Sequence, residues 1–157
     1  DAIVRTEYSV KTLTDQGIRV QKLTEVSGNW EESRGKELTE QALKRYGRRV
    51  EVIICNNDNM AEGAISALEA AGYNTGAEGV TTIPVFGVDA TDSAKQLINE
   101  GKMTGTIKQD AEGMASTILN LVSSVQGGGE LMDNTSSFNV DEGVAKIRVP
   151  YATYTGE

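Results

Sequence analysis

The sequence predicts an α/β fold: a parallel sheet with helices on both faces. Three observations carry that prediction. Short apolar runs alternate with longer stretches of helical periodicity, the connections between them are short, and glycine closes several of the helical stretches. The 157 residues are 38% hydrophobic, which suits one domain of ordinary size with a real core.

Element by element, residues 3–15 read as a helix, with Val4, Tyr8 and Thr12 or Leu13 on one side. Asp15-Gln16-Gly17 breaks it, and "IRVQKLTEV" (18–26) alternates like a strand. Residues 31–46 carry Leu38, Ala42, Leu43 and Tyr46 at helical spacing, with acids early and bases late as the macrodipole prefers. The run 50–55 reads as a short strand buried between helices, and Met60–Ala71 as a helix ended by Gly72. A strand over 83–89, a helix over 91–100 ended by Gly101 and a strand over 103–110 follow. Met114, Ile118, Leu121, Val122 and Val125 mark a helix over 111–126, closed by Gly127-Gly128-Gly129, and 144–151 is a last strand that leaves through Pro150. Residues 72–82 and 124–143 are loop-like, and no repeat of fixed period occurs.

Composition removes several functions. A net charge of −8 argues against a phosphate backbone as partner, so no nucleic acid is expected. The one basic cluster, Lys44 to Arg49, sits at a helix end where cations are favoured anyway. Histidine is absent, which excludes His-based acid–base chemistry, Ser-His-Asp triads and His-ligated zinc. The lone Cys55 lies in an apolar run and reads as a small core residue. No apolar stretch approaches the ~18 residues of a membrane span. The chain opens directly on "DAIVRTEYSV", without a signal peptide; exported proteins lose that segment on maturation.

In an open parallel sheet, ligands bind beyond the carboxyl ends of the strands. The residues there are Asn29 and Trp30, then Asn56, Asn57 and Asp58, then Asp89, then Lys108, Gln109 and Asp110. Neither GxGxxG nor a P-loop occurs, which weighs against nucleotides and phosphorylated ligands. Amides, carboxylates and an indole suit a neutral polyhydroxylated molecule, because each hydroxyl both donates and accepts and a pyranose C–H face packs on a flat ring. Plainer readings stand beside this one. Asp58 is placed as an N-cap or first-turn residue of the helix beginning near Met60, and Thr91 or Asp92 to cap the next. Asn56 and Asn59 read as turn residues, and Trp30 also reads as a core aromatic.

"EVIICNNDNMAEGAISAL", "IPVFGVDATDSAKQLI", "GKMTGTIKQDAEGMA" and "IRVPY" resemble the type I periplasmic sugar-binding proteins, nearest to the galactose/glucose-binding proteins of ABC transporters. The resemblance runs nearly end to end. It implies that Asp1 and Arg5, as the D-x-x-x-R motif, bind sugar hydroxyls, that Trp30 stacks on the sugar, and that Asn57 and Asp89 contact it. Gln109 falls at the hinge position, where ribose binders carry Gln and glucose/galactose binders Asn; Trp30 and Asp1 favour a hexopyranose. Those proteins also bind a structural calcium through a loop and a Glu, and Glu51 occupies the Glu position, although the loop is not in this chain. No other cofactor is implied.

The family has two lobes that clamp the sugar between them, and this chain corresponds to roughly the second half. The resemblance therefore implies an incomplete lobe. Residues 1–110 would form most of the C-terminal lobe, 111–143 would belong to the N-terminal lobe, and 144–157 would cross back. It implies a monosaccharide ligand, an ABC permease and sometimes a chemoreceptor as partners, with the N-terminal portion as a separate chain or lost. A periplasmic or extracellular location follows, with free and lipid-anchored forms both open. Two other readings are the effector domain of a LacI-type transcriptional regulator and a sugar hydrolase using Asp58 and Asp89 as paired carboxylates. The resemblance favours a non-catalytic binder.

Overall fold

The computed structural model describes residues 2–133, 135, 139–141 and 146–156. They form α1 (Ala2–Asp15), α2 (Glu32–Tyr46) with a 3-10 turn (Gly47–Arg49), β1 (Ile53–Ile54), α3 (Asp58–Ala70), β2 (Val85–Asp89), α4 (Asp92–Asn99), β3 (Gly105–Gln109), α5 (Ala111–Gln126), β4 (Asn139–Asp141), β5 (Lys146–Arg148) and β6 (Tyr151–Tyr154). The chain divides into two compact units, Asp1–Ile107 with Thr153–Glu157, and Lys108–Ala152.

In the first unit a sheet of order β1-β2-β3-β6 forms. β1 and β2 are parallel, with Ile53 beside Val85 and Ile54 beside Phe86, so their carboxyl ends share an edge. α3 covers one face. Ala61, Ala64, Ile65 and Leu68 bury against Val85, Ala94, Ile98 and Met103, each large aliphatic side chain contributing about 1.5–3 kcal/mol. α2 lies on α3 at backbone distance, because Gly35 and Gly63 carry no side chain. A Cβ on Gly63 would stand 2.0 Å from the Glu32 carbonyl, and one on Gly35 2.3 Å from that of Met60. The second unit contains α5 and the antiparallel β4–β5 pair, with Val140 opposite Ile147.

The α/β fold is as predicted, and the helices fall close to their expected spans. The strands depart more. Residues 18–26 form no strand: Ile18, Val20 and Val26 are exposed, and Leu23 is the residue of that run packed against the core. Alternation alone makes no strand, which exists only through ladder hydrogen bonds to a neighbour. The run 50–55 shortens to β1, and it is not buried between helices, since Val52, Ile54 and Phe86 are 44%, 40% and 38% exposed. The expected strand 144–151 is instead β5 and β6, interrupted at Val149-Pro150 where proline supplies no N–H. Its first two residues lie outside the described residues.

Candidate functional site

The site is best built from the start of α3. Asn57, in extended conformation, is the helix N-cap: its Oδ1 accepts from Met60 N at 3.1 Å. Of the two places expected for Asp58 it takes the first turn, and the side-chain cap belongs to its neighbour. A cap residue must hold β-region dihedrals before the first helical residue, and Asp58 is already inside the helix. Nδ2 of Asn57 donates to the Trp30 carbonyl at 3.1 Å. Asn29 and Trp30 both have positive φ, 51° and 67°, and the Glu31 N–H closes back on the Gly28 carbonyl at 3.0 Å. Trp30 is thus carried on a tight corner. The residue is 42% exposed, so the core-aromatic reading does not hold.

Asn56 does more than turn the chain. Its Nδ2 donates to Thr6 Oγ1 at 2.8 Å and to the Ala2 carbonyl at 3.3 Å, while its own carbonyl accepts from Arg5 Nη1 at 2.6 Å. These bonds tie the first turns of α1 to the end of β1. They also bring the Arg5 guanidinium over the Trp30 ring, 5.7 Å from its centroid, a cation–π contact of about 0.5–1 kcal/mol at an exposed position.

Asp58 is fully buried. Oδ1 accepts from Thr106 Oγ1 at 2.6 Å, and Oδ2 from the Thr91 N–H at 2.9 Å. The expected capping by Thr91 is present: Oγ1 accepts from Ala94 N at 3.1 Å at the head of α4. Asp89 ends β2 just before this cap and is half-buried. Cys55 packs against the core as expected. Burial pushes its thiol up to about 12, and the Asp58 carboxylate pushes the same way.

One recess of about 690 Å³ opens between α1 and residues 22–30, lined in part by Thr6, Glu25, Asn29, Trp30, Asn56 and Met60. That volume falls in the range of small-molecule sites. Trp30 lines it, whereas Arg5, Asn57 and Asp89 do not. The polar ends of Asn57 are turned to Met60 and Trp30 instead. The first unit therefore brings Arg5, Trp30 and Asn57 into one bonded cluster, and Asp89 joins it along the sheet edge through Thr91 and Asp58.

The sequence matches the periplasmic binding protein domain over residues 1–130. The chain belongs to the periplasmic binding protein family. It is 32% identical over 152 residues to the D-galactose/methyl-galactoside binding periplasmic protein of Haemophilus influenzae, covering 96% of this chain and 43% of that protein. An ABC transporter solute-binding protein from Bacillus halodurans with bound myo-inositol superposes with a TM-score of 0.72 at 29% identity, over 98% of this chain and 46% of that one. The Caulobacter myo-inositol binding protein superposes with a TM-score of 0.68 at 28% identity, over 82% and 43%. The chain spans less than half the length of these relatives.

As a periplasmic binding protein, the chain bears out the type I sugar-binding resemblance and the fold class it implied. The remaining residues named for the site fall elsewhere. Asp1 lies outside the described residues. Gln109 ends β3 and belongs to the second unit, where Asp110 caps α5 by accepting from the Gly113 N–H at 2.9 Å. Glu51 is exposed, and among the described residues no group of three or more His, Cys, Asp or Glu is arranged to hold a metal ion. No described helix is long and apolar enough to cross a membrane. Sequence reasoning missed Thr106 as the partner of Asp58. A threonine two residues into an otherwise ordinary strand carries no local signal.

Proposed function

We propose that this chain is part of the solute-binding component of an ABC importer and holds a neutral sugar or cyclitol without chemical turnover. The single observation that carries the reading is the cluster at the carboxyl edge of the sheet. There the Arg5 guanidinium lies over an exposed indole, Asn57 donates to the main-chain carbonyl of that tryptophan, and Asp89 ends the neighbouring strand. An aromatic face takes the C–H side of a ring, and carboxylate, amide and guanidinium groups divide the hydroxyls. The names of the relatives, galactoside and myo-inositol binders, fall in that ligand class.

On this reading Arg5, Trp30, Asn57 and Asp89 supply one wall of the site. The second wall comes from the portion of a two-lobe protein that this chain does not include, and residues 111–143 belong with that lobe. Closure of the two walls presents a surface to a membrane permease, outside the cytoplasmic membrane. Calorimetry with galactose, glucose, ribose and myo-inositol tests the reading, on the chain combined with its complementary portion. Heat that disappears in Trp30→Ala and Asp89→Ala is expected; no heat with any of the four overturns it.

A further inference from the structure

The corner between β2 and α4 is bent against the preferences of its residues. Asp89 has φ 125° and Ala90 φ 56°, in a region that L side chains rarely enter, and neither position is glycine. Such a corner persists only where its surroundings over-determine it. Here the two following amides are both taken. Ala90 N donates to Thr106 Oγ1 at 3.3 Å, and Thr91 N donates to Asp58 Oδ2 at 2.9 Å. The Thr106 hydroxyl in turn donates to Asp58 Oδ1 at 2.6 Å.

Both restraints therefore end on one carboxylate, on a residue with no exposed surface. The fold makes room for it at Gly87, where a Cβ would stand 2.2 Å from Asp58 Oδ1. Burying a charge is unfavourable unless hydrogen bonds compensate it, and the donors here are a hydroxyl and a backbone amide. A neutral asparagine would fit the same volume, but it offers one accepting atom to two donors. The first turn of α3 also favours negative charge.

We propose that Asp58 is a positioning residue: it holds the Asp89–Ala90 corner in its left-handed geometry and so fixes the Asp89 carboxylate before any ligand arrives. Asp58 itself touches no ligand. The geometric part stands on the bonds above; its consequence for binding rests on Asp89 being a ligand contact, as proposed in the preceding section.

The test is amide hydrogen exchange and HN–Hα coupling by NMR on the chain carrying Asp58→Asn, Thr106→Val or Thr106→Ser. Asp58→Asn is expected to speed exchange at Thr91 about tenfold relative to the core amides of α3, the loss of one hydrogen bond. Thr106→Val is expected to do the same at Ala90, and Thr106→Ser, which keeps the hydroxyl, to match the wild type. Unchanged exchange and couplings at residues 89–91 in folded Asp58→Asn overturn the proposal. If Asp58→Asn does not fold, the same unchanged result in Thr106→Val overturns it. In calorimetry on the chain combined with its complementary portion, Asp58→Asn is expected to weaken galactose or myo-inositol about tenfold, and an affinity equal to wild type overturns the preset role. A wild type that binds no sugar overturns the function reading, and the exchange measurement then decides the clamp alone.

Discussion

The Asn57 side-chain amide donates to the Trp30 main-chain carbonyl at 3.1 Å, joining residues 27 positions apart in the chain. The same side chain caps α3 through Met60 N. One residue thus starts a helix and holds the left-handed corner that displays the indole. The two roles separate by substitution. Asn57→Ala removes both and is expected to lower stability by about 2 kcal/mol, one cap and one hydrogen bond. Asn57→Asp keeps the accepting oxygen and loses the donor, so α3 survives while the Trp30 corner loosens. Urea unfolding checks the first. The emission of Trp30, the one tryptophan in the sequence, checks the second by a red shift without loss of helix.

Gly63 sets helix propensity against packing. Ala in its place would favour the helical state by about 0.8–1 kcal/mol. Its Cβ, however, would meet the Glu32 carbonyl at 2.0 Å and Lys36 N at 2.7 Å. Both are backbone atoms of a packed helix, so α2 as a whole must move. Overpacking of this kind costs about 1–3 kcal/mol or more. Gly63→Ala is expected to be destabilising on balance by at least about 1 kcal/mol, and a midpoint of urea unfolding at or above wild type contradicts the packing account.

Asn74 is fully buried in the segment read as plain loop. Its Nδ2 donates to the carbonyls of Ile83 and Lys102 at 2.7 and 2.8 Å, and its Oδ1 accepts from Ile83 N at 2.8 Å. Its φ of 49° is one that asparagine tolerates better than most residues. Asn74→Ala leaves these partners unsatisfied and strains the backbone, at an expected cost of about 3 kcal/mol or more. Asn74→Gly relieves the dihedral but not the bonds, so it should remain clearly destabilised in thermal unfolding.

The Cys55 thiol gives a pH dependence of defined sign. Its folded value, about 12, lies above the 9.0 of an ordinary thiol, which describes the unfolded chain. Folding therefore favours the protonated form. That contribution is fully present below about pH 9, and is lost as pH rises toward 12. Cys55→Ala should flatten the alkaline fall in stability across this window. At pH 8 the native thiol should react with iodoacetamide far more slowly than in urea, because the thiolate is the nucleophile.

Much of the first unit was legible in the sequence. Helical spacing, acids before bases in α2, Thr91 ahead of α4 and glycines after helices are signals that act within a few residues. The strand ends that carry Asn57 and Asp89 were legible for the same reason. The misread parts share a different character. "IRVQKLTEV" alternates correctly and still forms no strand, since pairing depends on a neighbour that the pattern does not contain. Val52 and Ile54 read as buried on both faces, although only packing partners decide a face. Asn56 read as a turn residue and Asp58 as no more than a helix-start residue, because their real partners, α1 and Thr106, lie 50 and 48 positions away.

By itself, then, the sequence determined the family, the helix positions and the edge of the sheet where polar residues gather. Each of these rests on short-range periodicity, capping chemistry or motif order. Only the tertiary structure decided what those polar residues do. Asn57 turns to the Trp30 carbonyl, Asp58 takes Thr91 and Thr106, and Asn56 ties down α1. A buried donor or acceptor must find whichever partner the fold brings within about 3 Å, and that choice depends on chain segments far apart in sequence.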